Sequence, residues 1–268
     1  MSKEKKELEY IVKDGVATIW LNRPHIKNCI SWGMLMGMAE CTQLAEKDDN
    51  VKMIVVRGRK NTFCSGFDLN MVESEFLSGK VSRPRAPLEM VTEVSRVYNC
   101  FHDVTKPTLA VVEGFCTAGG FELMISCDFA IASDDAKIGD FHINRGMTGG
   151  GGPIYRLPRL IGLRRAKEMM MSGKLVSGKK AAEWNLINES WPAAKLDKAV
   201  EAFIAPFKEQ SSYIMWITKQ TANCGLDADP KTLMIMEHYA TACTMQSNDA
   251  AESVRAFLEK RKPVWTNT

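Results

Sequence analysis

A glycine pair followed by a lone carboxylate, Gly119-Gly120-Phe121-Glu122-Leu123-Met124, sits between two apolar runs and reads as the turn from a strand into an apolar helix. Paired glycines let a ligand approach bare backbone, and the unbonded N–H groups of a helix's first turn form a partial positive pole suited to a developing oxyanion. Glu122 falls on that first turn, where it can act as a base beside the pole. His142 follows twenty residues later (142 − 122), after the segment Ala136-Lys137-Ile138-Gly139. An imidazole with an ordinary pKa of about 6.5 is a general acid or base near neutral pH, although a lone histidine after a strand also fits a packing role. Asp140, two residues earlier, points to the opposite side if that strand continues.

The elements that must position these groups follow from periodicity. Leu8 to Val12 and Val16 to Leu21 flank Asp14-Gly15, a dipeptide that favours a tight turn with positive φ, so the chain opens with a β-hairpin. Met53 to Gly58, Thr108 to Val112 and Phe129 to Ala132 are short apolar runs separated by segments of helix length. That is the pattern of buried parallel strands in βαβ units, and it predicts an α/β fold. Residues 71–88, rich in Ser, Gly, Pro and Arg, read as a polar loop near a site mouth. After about residue 163 the strands give way to helical periodicity, with Val200, Phe203, Ile204 and Phe207 at i, i+3, i+4 and i+7. Ser177 is placed to cap a helix starting at Gly178, and Pro230 to open a long helix through His238 and Met245. That helix is apolar on more than one side, so either the core or a second subunit must cover it. The chain divides into a core over residues 1–195 and a helical region over residues 196–268.

A chain of 268 residues can bury roughly three quarters of its unfolded surface, so one large core needs neither metal nor disulfide staples. Hydrophobic residues at 45% and charged residues at 25% are those of a soluble globular protein, and a net charge of +3 is too small to argue for nucleic acid. No run of about 18 apolar residues occurs, and Met1 to Lys6 lacks the apolar segment of a signal peptide. A cytoplasmic protein without a membrane partner is expected. The eight cysteines form no CxxC pair and most lie in apolar stretches, which predicts reduced core thiols. His25, His102 and His238 lack metal-ligand spacing, so no metal is expected. Gly149-Gly150-Gly151-Gly152-Pro153 lacks the Lys-Ser/Thr of a phosphate loop and the spacing of a dinucleotide fingerprint, which argues against nucleotide hydrolysis and dinucleotide binding there.

Taken together, Asn22-Arg23-Pro24, Phe63-Cys64-Ser65-Gly66-Phe67-Asp68-Leu69, Lys106-Pro107 through Glu122, Cys127-Asp128, Gly146 through Gly152, and Glu259-Lys260-Arg261-Lys262 span nearly the whole chain. In order and spacing they resemble the enoyl-CoA hydratase/isomerase (crotonase) superfamily. The resemblance implies a ClpP/crotonase-type α/β spiral of ββα units, capped by C-terminal helices that assemble homotrimers, often paired into hexamers. It implies an acyl-CoA thioester whose carbonyl is held by two backbone N–H groups, which fall here on Phe67 and Gly119. Ser65 and Gly66 form the turn before the first donor, Asp68 and Leu69 follow it, and Gly120 follows the second. Gly150 belongs to a stretch that lies beside the acyl pocket in this family. Four glycines in place of the more usual Pro-Gly-Ala-Gly suggest a wider pocket or a more flexible wall, and so a bulky or cyclic acyl group. Lys27, and Lys260 reaching from a neighbouring subunit, are expected to meet the phosphates of CoA. Arg145 and Tyr155 flank the glycines within possible reach of substrate, and Asp128 reads as a structural carboxylate. Coenzyme A is part of the substrate, and no separate cofactor is implied.

Glu122 matches the first of two glutamates with which such hydratases handle water, and His142 stands where the second is expected. A hydratase in which Glu122 and His142 share the work is the leading reading. An isomerase that moves one proton between carbons and a malonyl-type decarboxylase that relies on the oxyanion donors are alternatives, as is an acyl-CoA-binding relative with little activity. The retained Glu122 argues against the last, because a carboxylate buried in an apolar helix is costly without a task.

Overall fold

The structure, a computed structural model, describes residues 7–74 and 86–268. The hairpin forms as expected: β1 (Leu8–Lys13) pairs antiparallel with β2 (Val16–Leu21), and Asp14 and Gly15 take φ of 50° and 77°, the positive values a two-residue turn of this hand requires. From β2 the sheet continues through β3 (Met53–Gly58), β4 (Thr108–Val112), β6 (Phe129–Ser133) and β9 (Glu189–Trp191), each parallel to the last. A smaller sheet joins β5 (Phe115–Thr117), β7 (Lys137–Gly139) and β8 (Val176–Ser177). The expectation that strands stop near residue 163 therefore fails for β8 and β9. Both are only two or three residues long and carry polar groups, too short for any periodicity to show.

Parallel strands buried on both faces explain the continuous apolar runs. Ile54, Val56, Ala110 and Val112 face a core filled by α1 (Trp32–Lys47), α3 (Ala86–Asp103) and α4 (Gly119–Ser126), which contribute Met34, Tyr98, Phe101 and Phe121. The alternate residues Met53, Val55, Leu109 and Val111 face α8 (Ala193–Lys208) through Leu196, Val200 and Ile204. Phe203 and Phe207 close that layer against Phe129, with ring centroids 5.5 and 5.2 Å away. The spacing at i, i+3, i+4 and i+7 thus marks a helix of the core, and residue 195 lies inside it.

Between β7 and β9 the chain also makes α5 (Pro153–Ile161), α6 (Leu163–Ser172) and α7 (Gly178–Glu183), the last capped by Ser177 Oγ accepting from Lys180 N–H at 3.1 Å. After α8 come α9 (Ser212–Asn223), α10 (Pro230–Met245) and α11 (Asn248–Leu258). α9 is tied to the core by Lys219, whose buried ammonium meets Asp128 at 2.8 Å, while Asp128 also accepts from the backbone and hydroxyl of Thr108. α10 starts at Pro230 as expected, but it buries no residue in the chain's core: Met234, Ile235 and Tyr239 stand 56%, 48% and 70% exposed. A core role for its apolar groups is thereby overturned. Of residues 71–88, only 71–74 and 86–88 fall in the described part, around α2 (Leu69–Val72) and the start of α3, and 75–85 lie outside it. Of the eight cysteines, only Cys64 and Cys116 are buried, so the core-thiol expectation holds for those two; all eight are free. No described helix is long and apolar enough to cross a membrane.

Candidate active site

The site forms where the two sheets part. β5 ends at Thr117, and Ala118 turns the chain at φ 50° and ψ −122°, a conformation that a residue with a Cβ rarely adopts, so that Gly119 opens α4. Every residue of α4 is buried, Glu122 to 2% exposure. The other wall is the segment after Cys64. Ile30 pairs with Phe67 through the carbonyl of Gly66 and the amide of Asp68, which directs the amide of Phe67 itself away from Ile30. Among the described residues neither Phe67 N–H nor Gly119 N–H has a hydrogen-bond partner. A Cβ placed on Gly66 would lie 3.3 Å from Gly119 N, so the two segments meet at backbone distance.

Glu122 and His142 converge on this corner. Gly151 N–H donates to Glu122 Oε1 at 2.8 Å, and His142 Nε2 stands 3.9 Å from the same oxygen. That gap is too long for a direct hydrogen bond and short enough for one water to touch both groups. On its other side His142 Nδ1 is hydrogen-bonded to Asp140 Oδ1. Burial pushes the Glu122 carboxyl up from its ordinary value, against the lowering influence of His142 and the Gly151 amide. Burial acts to lower His142, but the hydrogen bond to Asp140 and the charges of Glu122 and Asp140 outweigh it and raise the imidazole. Both shifts favour retention of a proton by the pair.

Asp140 corrects the sequence expectation. β7 ends at Gly139, and the chain bends through Phe141 into the 3-10 turn His142–Arg145, so the alternation of a strand no longer applies and Asp140 and His142 meet instead of diverging. Tyr98 is a second group that the sequence reading missed. Fully buried on α3, it donates its hydroxyl to the Gly119 carbonyl at 2.8 Å and lays its ring against Gly151; burial, then the charge of Glu122, raises its phenol well above the ordinary value. Its place on the apolar face Val94, Val97, Tyr98, Phe101 was legible, but nothing in that pattern reveals the hydroxyl's target.

A cavity of about 640 Å³ opens over these groups, lined among others by Lys27, Phe67, Val91, Glu122, His142 and Gly150. A family profile, "Enoyl-CoA hydratase/isomerase", matches residues 12–268. The chain is similar to human mitochondrial methylglutaconyl-CoA hydratase, 30% identical over 93% of this chain and 73% of that one, and to crotonyl-CoA hydratase of Syntrophomonas wolfei, 28% identical over 93% and 94%. The chain belongs to the enoyl-CoA hydratase/isomerase family. The fold agrees: a crystal structure of an enoyl-CoA hydratase from Bacillus anthracis, 24% identical, superposes with a TM-score of 0.91 over 98% of this chain and 100% of that one.

Within this crotonase fold the expected site residues separate into groups. Lys27, Ser65, Phe67, Asp68, Leu69, Glu122, His142 and Gly150 all border the cavity. Lys27 holds its ammonium 4.3 Å from the Phe115 ring. Asp68 is bound by Arg23 at 3.0 Å and caps α2, a structural duty at the cavity's edge. Gly66, Gly119 and Gly120 stand behind the lining. Gly120 is required by packing, since a Cβ there would come within 2.3 Å of the Cys64 carbonyl. Lys260 sits in the exposed turn after α11, outside the cavity of its own chain. Arg145 borders the site, whereas Tyr155 borders a larger, mostly apolar cavity of about 820 Å³ that contains neither Glu122 nor His142.

The glycine run also differs from expectation. A Cβ at Gly149 would fall 2.4 Å from Pro153 and 2.8 Å from Glu122 Oε1, one at Gly150 2.5 Å from Val91, one at Gly151 2.6 Å from the Tyr98 ring, and one at Gly152 2.2 Å from Arg156. The missing side chains are thus replaced by close-packed neighbours, and the run does not widen the pocket.

Proposed function

We propose that this protein adds water across the double bond of an α,β-unsaturated acyl-CoA thioester, or removes it in reverse. The observation that carries the proposal is the 3.9 Å separation of Glu122 Oε1 and His142 Nε2 beside the two unpartnered amides of Phe67 and Gly119. A thioester carbonyl accepting from both amides gains enolate character, which makes its β-carbon electrophilic; one such donor contributes about 2.7–4 kcal/mol to lowering the barrier. The acid–base pair then supplies a water and a proton at adjacent carbons. Lys27 at the cavity rim is suited to a CoA phosphate, and the exposed apolar residues of α10 and α11, Met234, Tyr239 and Phe257 among them, support assembly as a homotrimer or a dimer of trimers.

The relatives' names supply the first substrates to try. Purified protein is incubated with crotonyl-CoA, methylglutaconyl-CoA, cyclic enoyl thioesters and malonyl-type thioesters, and the products are weighed by mass spectrometry. A gain of one water on an enoyl thioester, lost in Glu122→Gln, is expected. Unchanged mass with a shifted retention time would replace the reading by isomerisation, and loss of carbon dioxide by decarboxylation. Preference for linear crotonyl-CoA over every bulky thioester would dismiss a bulky acyl group. Light scattering that returned a monomer would dismiss the oligomer.

A further inference from the structure

Asp140 has no counterpart in the division of labour just given, yet it is 4% exposed and directed at the ring that works there. We propose that Asp140 is a positioning residue: it keeps hydrogen on His142 Nδ1 and Nε2 aimed at Glu122, so that Nε2 handles the proton of the α-carbon while Glu122 takes the proton of water. The inference rests on the hydratase reading and assigns the roles within it.

The geometry leaves one orientation for the ring. Nδ1 faces Asp140, which as a carboxylate can only accept, so Nδ1 must carry hydrogen. Nε2 then points at Glu122 with a lone pair whenever the ring is neutral. Gly149 seals the arrangement, because a Cβ there would sit 3.1 Å from His142 Nδ1 and 2.8 Å from Glu122 Oε1. The titratable and charged groups around the ring are Asp140 on the preceding loop, Glu122 from α4, Tyr98 from α3 behind Glu122, and Arg145 on the same 3-10 turn; Lys27 and Asp68 border the same cavity. Arg145 is turned onto Phe141 and the Asn144 carbonyl, so it does not compete for Asp140.

The step balances with one proton on the pair, carried at the start by His142 Nε2. Water's oxygen bonds to the β-carbon as its O–H breaks toward the Glu122 carboxylate; the π electrons move into the enolate held by the two amides; the α-carbon then takes the proton of His142 Nε2. The products are the 3-hydroxyacyl thioester, a protonated Glu122 carboxyl and a neutral His142 with hydrogen on Nδ1. Transfer of the Glu122 proton to Nε2 restores the starting state. No other reactant is needed.

Two measurements on Asp140→Asn test the assignment. The chain has only 4 histidines, so the ring nitrogens of His142 can be assigned by nitrogen-15 NMR against His142→Gln. The wild type should show hydrogen on Nδ1, whereas Asp140→Asn should lose that preference and titrate at lower pH, since a raising influence is gone. In kinetics, Asp140→Asn should lower kcat by about 10²-fold with KM little changed, and move the alkaline limb of the profile to lower pH. It should cost almost nothing further in a His142→Gln background, because it acts through that ring. An unchanged tautomer and titration, or an equal kcat loss with and without His142, would overturn the proposal. The NMR result needs no turnover, so a protein that fails to hydrate any enoyl thioester yet shows the tautomer shift would refute the hydratase reading and leave the positioning role standing.

Discussion

Replacing Glu122 by glutamine should separate activity from stability. Glutamine keeps the shape and can still accept from the Gly151 amide, now made at 2.8 Å, so the helix and glycine run need not move. What disappears is the charge. At 3.9 Å a carboxylate and an imidazolium attract by about 4 kcal/mol at an effective dielectric of about 20. Against this stands the cost of burying the carboxylate at 2% exposure, which is itself several kcal/mol per ion. The two nearly cancel, and His142 can release its proton or keep it against Asp140. Thermal melting near neutral pH should therefore stay within about 5 °C of wild type. The pH dependence has a definite sign. A carboxyl raised on folding contributes stability that is full below its unfolded value and is lost as pH rises through its folded value; His142, also raised, loses its contribution as pH rises above the ordinary imidazole range. The variant lacks the first loss, so its stability relative to wild type should improve as pH rises above the ordinary carboxylate range in urea titrations. Over the same range kcat should fall by about 10²- to 10⁴-fold, the contribution of a positioned acid or base. A variant within about threefold of wild-type kcat, or one whose relative stability worsens with rising pH, would refute this account of the site.

Lys219→Met should leave Asp128 buried without its ion partner, destabilise the chain by about 3–5 kcal/mol and lower the melting temperature by about 10 °C in calorimetry. Gly149→Ala should reduce kcat far more than it reduces stability, because the new methyl meets both Glu122 and His142; equal, small effects on both would count against the close packing inferred there. Cysteine alkylation followed by peptide mass spectrometry should label exposed Cys243 first and Cys64 only after denaturation, since burial pushes the Cys64 thiol up to about 12.

Much of this was legible in the residues, for identifiable physical reasons. The Asp14-Gly15 turn, the buried parallel strands and the capped starts of α7 and α10 are local signals, set by φ preferences and by periods of two or 3.6 residues. Gly119 and Glu122 were legible because a helix N-terminus places them one turn apart on one element. The long-range matches were not. Asp140 was assigned the wrong side because a strand of three residues stops before it, and strand alternation cannot announce its own end. Tyr98 lies 21 residues before Gly119 in sequence and meets it only through the packing of α3 on α4. The buried or exposed fate of α10 depends on what lies beyond a single chain, which its own apolar pattern does not specify.

The two departures from the resembled pattern, a histidine at 142 and glycine throughout 149–152, are better understood as one. An imidazole that must reach Asp140 with one nitrogen and approach Glu122 with the other is fixed at both ends, so the residue lying across it has little freedom. Gly149 is that residue, with its backbone so close that even a methyl would press on both side chains. Gly151 must come equally near to donate its amide to Glu122 while the Tyr98 ring occupies the side-chain position, and Tyr98 in turn holds the carbonyl of Gly119. A glycine in the run therefore marks where a neighbour's atoms sit. The same contacts couple the Gly119 backbone, the carboxylate and the imidazole into one packed unit, in which a change at any member is felt by the others.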